Sequence, residues 1–255
     1  MVTLHALILG IVEGITEFLP ISSTGHLLLA GELLKIPATE FQKSFDIIIQ
    51  LGAILSVVAI YWHKLWNIAV IKKLVVAFIP TGIIGLTLYK VIKGYLLGNH
   101  YVVLAALLIG GIALIAFELW HKEPEGATVD IESISYKQAF SIGLFQTLAI
   151  VPGVSRSAAT VVGGLLLGLK RTTIVEFSFL LAVPTMLAAT GLDLLKNASA
   201  FSSNQFGTLA IGFVTSFVVA YFSIKFLLSY IQKHTFISFG VYRIVAAILF
   251  WFIIL

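Results

Sequence analysis

The 255-residue chain contains no cysteine and few charged residues. The lack of cysteine excludes a disulfide framework, a thiolate nucleophile and a cysteine-based metal site. Charged residues form 11% of the sequence, whereas about 25% is typical of soluble proteins. No basic run interleaved with aromatic residues occurs either, so no nucleic acid is expected as a partner. The sequence therefore does not predict a soluble domain.

Hydrophobic residues take the place of charge: they form 59% of the chain, and the mean hydropathy is +1.06. They come in blocks such as 101–117, 138–155 and 205–224, close to the roughly 20 residues that cross a bilayer. Backbone groups in lipid must be satisfied within the segment, so these blocks predict helices. We predict an all-α polytopic membrane protein with one integral membrane domain over 1–255. The N-terminus is apolar without a preceding basic region, so residue 1 is expected in the mature chain.

An internal repeat divides the chain into two halves. The stretch 9–25 resembles 142–158, with Gly10 matching Gly143, and further on Thr81 matches Thr215. The offsets of these two matches, 133 and 134 residues, are nearly equal, which indicates a single duplication. We assign repeat 1 to 1–121 and repeat 2 to 136–255.

Each half is predicted to contain two short helices followed by three long ones. The short pairs are too short to span a bilayer, so each is expected to enter the membrane, turn and leave on the same side. Each half then crosses the membrane an odd number of times, which predicts an inverted repeat with two re-entrant hairpins that face each other. The predicted helices are 4–18, 24–34, 42–62, 72–92 and 100–120 in the first half, and 136–150, 157–169, 172–195, 205–230 and 237–255 in the second.

The first hairpin carries two carboxylates, Glu13 and Glu17, one helical turn apart and on one face. Two neighbouring carboxylates in a low dielectric do not both stay ionised unless a cation neutralises them. Either a divalent cation binds there, with Mg²⁺ or Ca²⁺ suited to carboxylate ligands, or one glutamate is protonated and serves packing.

Hydroxyl groups and a histidine follow at the start of the second short helix. Ser22, Ser23 and Thr24 either cap that helix or, with its free N–H groups, form an anion site. His26 lies within one turn of Ser23, so it is a candidate base or acid as well as a structural donor.

The turn of the second hairpin, PGVSRSAAT, carries a permanent cation, Arg156. Its planar fork suits a phosphate group, and Ser155, Ser157 and Thr160 are expected to add donors. The alternative is a salt bridge from Arg156 to one of the two glutamates, which can also alternate with phosphate binding. Gln50, Asp46 and Gln146 are candidate supporting polar groups on membrane helices, and Arg243 is expected to pair with a backbone carbonyl or a carboxylate such as Asp193.

The two turn motifs, EGITEFLPISSTGH over 13–26 and PGVSRSAAT over 152–160, resemble the signatures of the bacterial undecaprenyl pyrophosphate phosphatases of the bacitracin-resistance type. The resemblance extends over essentially the whole chain, including DIIIQLGAIL at 46–55 and EFSFLLAVP at 176–184. The chain departs from the family pattern at Ala158, where glycine is frequent, and at Asp46, where glutamate is frequent.

The resemblance implies hydrolysis of undecaprenyl diphosphate to the monophosphate, the lipid carrier for peptidoglycan, together with bacitracin resistance. It also implies divalent-metal dependence, a bacterial inner-membrane location and a site open to the outer face. Homo-oligomers are possible partners besides lipid. On this sequence the resemblance implies the following roles: Ser23, His26 and Glu17 catalytic; Ser155, Arg156, Ser157 and Thr160 substrate-binding; Glu13 and Glu17 metal-binding. Ser22 and Thr24 are predicted to bind substrate as part of the anion site at the start of the second short helix.

We expect attack on the terminal phosphate by Ser23, with His26 or Glu17 as base; His26 as nucleophile and direct attack by water are open variants. A lipid flippase or transporter is the alternative function, because inverted repeats with broken helices are a transport architecture. The positive-inside rule gives the expected orientation. Nine Lys and Arg residues fall in the predicted loops around 63–73, 121–137, 170–171 and 225–235, and five fall on the other side. Those loops are therefore expected to be cytoplasmic.

Overall fold

The computed structural model describes residues 2–37, 39–88, 92–96, 98–197 and 205–254. In those ranges it contains ten α-helices, a short π-helix at Ile92–Leu96, two 3₁₀ helices at Ile131–Ser133 and Thr147–Ile150, and no β-structure beyond one isolated bridge. The predicted all-α class is confirmed. The helices are α1 (Thr3–Thr16), α2 (Ser23–Leu33), α3 (Glu40–Leu65), α4 (Ile68–Thr87), α5 (His100–Trp120), α6 (Tyr136–Gln146), α7 (Arg156–Leu166), α8 (Arg171–Asn197), α9 (Phe206–Tyr230) and α10 (Ile237–Ile254).

Five of these helices are long and apolar enough to cross a membrane, so the chain is a multi-pass membrane protein. They are α3, α4, α5, α8 and α9. The last predicted span, α10, is apolar but shorter than the other five. Helix α4 begins and ends about one turn earlier than the predicted 72–92, and residues 89–91 near its predicted end lie outside the described residues.

The first hairpin, α1 and α2, is short because the chain turns inside the protein. Helix α1 has 14 residues and α2 has 11, which at about 1.5 Å per residue gives roughly 21 and 17 Å against about 30 Å of hydrocarbon. Phe18 in the turn has no exposed surface. The second hairpin, α6 and α7, has 11 residues in each helix. Neither hairpin contains a helix long enough to span.

Both hairpin turns end on a serine with an unusual backbone. Ser22 has φ 73° and Ser155 has φ 77°, a region that side chains other than glycine rarely occupy. Each serine caps the next helix, because its hydroxyl accepts from the N–H of Gly25 or Ala158 respectively. Strained backbone of this kind clusters at functional sites, where surrounding contacts maintain it.

The helices of the two halves pack reciprocally. Helix α1 packs on α9, and its repeat counterpart α6 packs on α4, the counterpart of α9. The contacts are close at matching glycines: a Cβ on Gly10 would lie 2.7 Å from a backbone oxygen of α9, and one on Gly143 would lie 2.0 Å from a backbone oxygen of α4. A duplication related by a two-fold axis gives this pairing.

The two ends of helix α5 make contacts near the open ends of the two hairpins. At its start His100 contacts Glu32, at the end of the first hairpin, with 3.1 Å between Nε2 and Oε1. Near its other end Glu118 pairs with Arg171, which directly follows the second hairpin. The hairpins thus open toward opposite ends of α5. The inverted repeat and the orientation in the membrane stay predictions.

The end of the bundle around Arg171 gathers the loops that were predicted to share one side. Lys64 pairs with Glu176 at 2.5 Å, and Asn67 donates to Glu132 at 2.7 Å. The backbone N–H of Phe236, just before α10, donates to the carboxylate of Glu118. We call this end the basic end.

Candidate active site

The two hairpin turns meet inside the bundle through side chains of α7. Arg156 donates to Glu17, with 3.0 Å between a terminal nitrogen and Oε1. Next to it, the Ser157 hydroxyl donates to the carbonyl of Phe18 at 2.9 Å. The salt bridge and the hydrogen bond join the motif of the first half to that of the second. The turns of the two hairpins are therefore in direct contact.

Glu17 is the centre of this contact. Its Oε2 accepts a hydrogen bond of 2.5 Å from the Ser23 hydroxyl, while Oε1 accepts from Arg156. Ser23 is the first residue of α2, and the cap of that helix is Ser22. The Ser23 hydroxyl is therefore not needed as a cap. It donates to a carboxylate, the arrangement in which an adjacent base activates a hydroxyl nucleophile.

Arg156 keeps part of its donor fork free. One terminal nitrogen donates to the carbonyl of Ser178 at 2.9 Å and the other to Glu17, while Nε has no partner. Thr160, fully buried, holds Ser178 through a hydroxyl contact of 2.6 Å. The guanidinium is thus fixed by two neighbours, and one of its three nitrogens, Nε, has no partner. An anion that displaced Glu17 would meet a pre-oriented fork.

The negative charge around Glu13 is not balanced by neighbouring positive groups. It is fully buried, and neither carboxyl oxygen has a hydrogen-bond partner. Its charged neighbours are Glu17, Asp46 and Arg156, so three carboxylates face a single guanidinium that contacts Glu17 directly. Buried charge without a partner is strongly unfavourable. The orphaned oxygens of Glu13 therefore fit either a bound cation or a proton.

A divalent cation would find few protein ligands here. The described residues contain no group of three or more His, Asp or Glu side chains arranged to hold a metal ion. Mg²⁺ commonly takes only one or two carboxylates and completes its shell with water and substrate phosphate. The Glu13 and Glu17 pair fits that mode of binding and does not fit a closed, all-protein metal site.

The imidazole of His26 makes no hydrogen bond to the Ser23 hydroxyl, which bonds to Glu17. Its Nδ1 bonds to the carbonyl of Ser22 at 2.8 Å, and its Nε2 bonds to the hydroxyl of Tyr242 on α10, also at 2.8 Å. Both ring nitrogens are engaged, so the imidazole holds the turn to α10. The hydrogen bonds of Ser23 favour Glu17 over His26 as its base.

A cavity of about 170 Å³ opens beside this array. One part of its wall is polar, and another part, formed by residues 149–153 in the turn of the second hairpin and by Met186 on α8, is largely apolar. A mixed wall of this kind fits a ligand with a charged head and an apolar tail. The lining residues are Glu17, Ser22, Ser23, Thr24, Gln50, Thr81, Gln146, Ala149, Ile150, Val151, Pro152, Gly153, Ser155, Arg156, Thr185 and Met186.

The predicted site residues divide into those at the cavity and those behind it. Six line the cavity: Glu17, Ser22, Ser23, Thr24, Ser155 and Arg156. Four lie behind its wall with at most 8% exposure: Glu13, His26, Ser157 and Thr160. The hydroxyls of Ser157 and Thr160 bond to Phe18 and Ser178 and so position the turn and Arg156, and their role as direct donors to substrate stays a prediction.

Several residues of the site carry no signal that sequence reasoning used. Tyr242 and Ser178 lie on membrane helices far from the two turn motifs in sequence, and only the fold brings them to His26 and Arg156. The sequence distinguishes Thr81 only as a match between the two repeats, yet its hydroxyl accepts a hydrogen bond of 2.8 Å from Gln146 and lines the cavity. Arg243 bonds to backbone carbonyls, as expected. The side chain of Asp193, the alternative partner, lies outside the described residues.

Comparison with known proteins identifies the family. Residues 6–249 match the family described as Bacitracin resistance protein BacA. The chain is 54% identical over 251 residues to the undecaprenyl-diphosphatase of Sulfurihydrogenibium sp. strain YO3AOP1, covering 98% of this chain and 99% of that protein. It is 50% identical over 253 residues to the enzyme of that name from Persephonella marina, covering 99% of both, and 49% identical over 247 residues to that of Aquifex aeolicus, covering 96% of both. The chain belongs to the BacA family.

Proposed function

We propose that this protein hydrolyses undecaprenyl diphosphate to undecaprenyl phosphate and inorganic phosphate within a bacterial inner membrane. The observation that supports this proposal is the hydrogen-bonded array of Ser23, Glu17 and Arg156. These residues provide a hydroxyl, a base and a phosphate-binding fork. The names of its relatives specify the lipid diphosphate, and the multi-pass fold places the array among membrane helices. The product is the carrier for peptidoglycan synthesis, and its recycling gives bacitracin resistance.

In the proposed reaction the Ser23 Oγ attacks the terminal phosphorus while Glu17 takes the hydroxyl proton. The bond from that phosphorus to the bridging oxygen breaks, and undecaprenyl phosphate leaves. Arg156 moves from Glu17 to the phosphoryl oxygens, where charge develops. Water then attacks the phosphoserine, the bond from phosphorus to Ser23 Oγ breaks, and Glu17 returns to that oxygen the proton it took in the first step, while both protons of the water leave on inorganic phosphate. Direct attack by water activated by Glu17 is the variant without a covalent intermediate.

Glu13 and Glu17 are the residues that would hold a divalent cation. Such an ion supplies Lewis-acid stabilisation of phosphoryl oxygens. Its charge would also balance the carboxylates that Arg156 leaves unpaired. Because the protein offers so few ligands, we expect weak, reversible binding that the substrate completes.

The direct test of this function uses purified protein in detergent. We expect release of inorganic phosphate from undecaprenyl diphosphate, with undecaprenyl phosphate as the other product. A transporter or flippase on the same fold needs a sealed membrane and would release none. Absence of phosphate release from folded, monodisperse protein would overturn the proposed hydrolysis.

We predict that exhaustive chelation abolishes phosphate release and that added Mg²⁺ or Ca²⁺ restores it. The physical reason is the buried Glu13 carboxylate, which has no hydrogen-bond partner and has carboxylates nearby. Glu13→Gln should raise the cation concentration needed for half-maximal activity. As a control, Glu32→Gln changes a carboxylate at the far end of α2 and should leave that concentration unchanged. Full activity after chelation would remove the metal role.

We propose that the basic end faces the cytoplasm and that the site opens to the outer face. Lys64, Lys73 and Arg171 make contacts at the basic end, and positive residues favour the cytoplasmic side. Since the chain has no cysteine, single variants can report sidedness. Pro37, between α2 and α3, and Gly126, in the loop before α6, are both exposed.

An impermeant thiol reagent added to intact cells or spheroplasts should label Pro37→Cys and spare Gly126→Cys. Both variants should react after the membrane is permeabilised, which controls for accessibility. Labelling of Gly126→Cys alone would reverse the orientation and place the first hairpin's open end in the cytoplasm.

A further inference from the structure

Arg243, on α10, is a fully buried arginine outside the catalytic array. Its guanidinium uses all of its donors on backbone carbonyls. Nε donates to Leu107, one terminal nitrogen donates to Pro20 and Val154, and the other donates to Ala106 and Gly153. A guanidinium has five N–H groups, so this set leaves none for a carboxylate. The charge is held entirely by carbonyl dipoles.

The carbonyls come from three segments, and two of these are the hairpin turns. Pro20 lies two residues before the strained Ser22, and Gly153 lies two residues before the strained Ser155. Arg243 therefore binds the same position in both halves of the repeat. The third segment is α5, which packs along α10. One side chain thus fixes the two turns relative to each other and to the bundle.

The catalytic groups follow directly after the bound carbonyls. Ser23 comes three residues after Pro20, and Arg156 comes two residues after Val154. Any change in the separation of the two turns changes the distance between the hydroxyl on one and the guanidinium on the other. A displacement of about 1 Å of reacting groups can lower a rate roughly 10²-fold.

The packing around Arg243 offers a second way to test whether this side chain holds the two turns together. Gly110 on α5 faces the guanidinium, and a Cβ there would lie 2.1 Å from its terminal nitrogen. The methyl group of Gly110→Ala would push the guanidinium from its place. Because all five N–H groups are bound, the guanidinium cannot move without breaking hydrogen bonds to the turns or to α5. A substitution of Gly110 therefore tests the role of Arg243 without changing the arginine itself.

We propose that Arg243 is a positioning residue for phosphate-bond hydrolysis, which holds the Ser23 and Arg156 turns at their working separation. The inference rests on the proposed function and adds to it a residue that does not line the cavity. A lysine cannot replace it, because an ammonium carries its donors at a single point and does not span three segments.

The experiment measures kcat, KM and the thermal unfolding midpoint for purified wild type, Arg243→Lys, Gly110→Ala and a control, Gly85→Ala. A Cβ on Gly85 would meet no atom within 4 Å. We expect Arg243→Lys and Gly110→Ala to lower kcat by about 10- to 100-fold and to raise KM, because the phosphate-binding fork is also misplaced. Gly85→Ala should keep both constants.

The KM value separates positioning from folding. A smaller folded fraction lowers the apparent kcat and the unfolding midpoint but leaves KM unchanged. The double variant Gly110→Ala with Arg243→Met should be no slower than Arg243→Met alone, because the added methyl group acts only through the guanidinium. Unchanged KM in both single variants, or additive losses in the double variant, would overturn the positioning role. An inactive wild type would instead refute the proposed hydrolysis.

Discussion

Replacing Ser23 with alanine is expected to lower kcat by at least about 10³-fold while the protein stays folded. The Ser23 hydroxyl donates to Glu17 at 2.5 Å, beside Arg156 and at the cavity wall. Removing it eliminates the nucleophile, and only water attack assisted by the remaining groups persists. The measurement is phosphate release from lipid diphosphate in detergent, with the folded fraction checked by size-exclusion chromatography.

The matched control for this change is Ser56→Ala. Ser56 is buried and donates to the carbonyl of Ala53 within its own helix at 2.6 Å. Its replacement should leave kcat near that of wild type. Loss of a helix cap destabilises a protein by about 1 kcal/mol, but the cap of α2 is Ser22 and not Ser23. Near-normal turnover by Ser23→Ala would thus show that the serine is neither nucleophile nor essential donor.

Acid quenching during turnover separates the two forms of the mechanism. Attack by Ser23 predicts a phosphoserine on the peptide that contains it, detected by mass spectrometry. Glu17→Gln should remove this species together with activity, by about 10²- to 10⁴-fold, the range for loss of a general base. A fully active enzyme that never carries phosphoserine would support direct attack by water.

The sequence contains enough information to place the array because local and repeat signals agree there. Glu17, Ser22 and Ser23 lie within seven consecutive residues, and the match between Gly10 and Gly143 aligns the second hairpin turn with the first. In a membrane, the backbone groups of a polar turn between two short helices must be satisfied by protein rather than by lipid, so the turn is buried in the protein. The helix order follows from these features.

Roles that depend on contacts across the bundle are less accessible to sequence. Ser157 and Thr160 read as donors to phosphate because they flank Arg156, yet both face inward to backbone or to Ser178. His26 is near Ser23 along the chain, but its ring is committed to Tyr242, 216 residues away in sequence. Helical spacing gives the face of a side chain and does not give the partner that another helix supplies.

The same limit applies to Arg243. An arginine in an apolar helix predicts a buried partner, and carbonyl partners were among the expected ones. What the sequence does not indicate is that both hairpin turns supply those carbonyls. That arrangement depends on α10 passing behind the two turns, which only the three-dimensional packing establishes.

Arg156→Lys is expected to lower kcat by about 10²- to 10³-fold, the range for loss of one preorganised donor at developing negative charge. Arg156 bonds to Glu17 and to the carbonyl of Ser178 through separate nitrogens and keeps Nε unpaired. Lysine retains the charge but presents its donors at one point, so it does not hold both a backbone carbonyl and a phosphoryl oxygen in plane. The effect should be larger on kcat than on the affinity for product phosphate, because bulk charge suffices for ground-state attraction.

Arg171→Lys is the matched control for this substitution. Arg171 pairs with Glu118 at the basic end, outside the cavity. Lysine there retains an ion pair and should leave kcat unchanged, with at most a lower unfolding midpoint. If Arg156→Lys turns over like wild type, the arginine acts only as a positive charge opposite Glu17. If both variants lose activity equally, the loss reflects damage to the membrane fold, and the fork geometry has no special role in phosphoryl transfer.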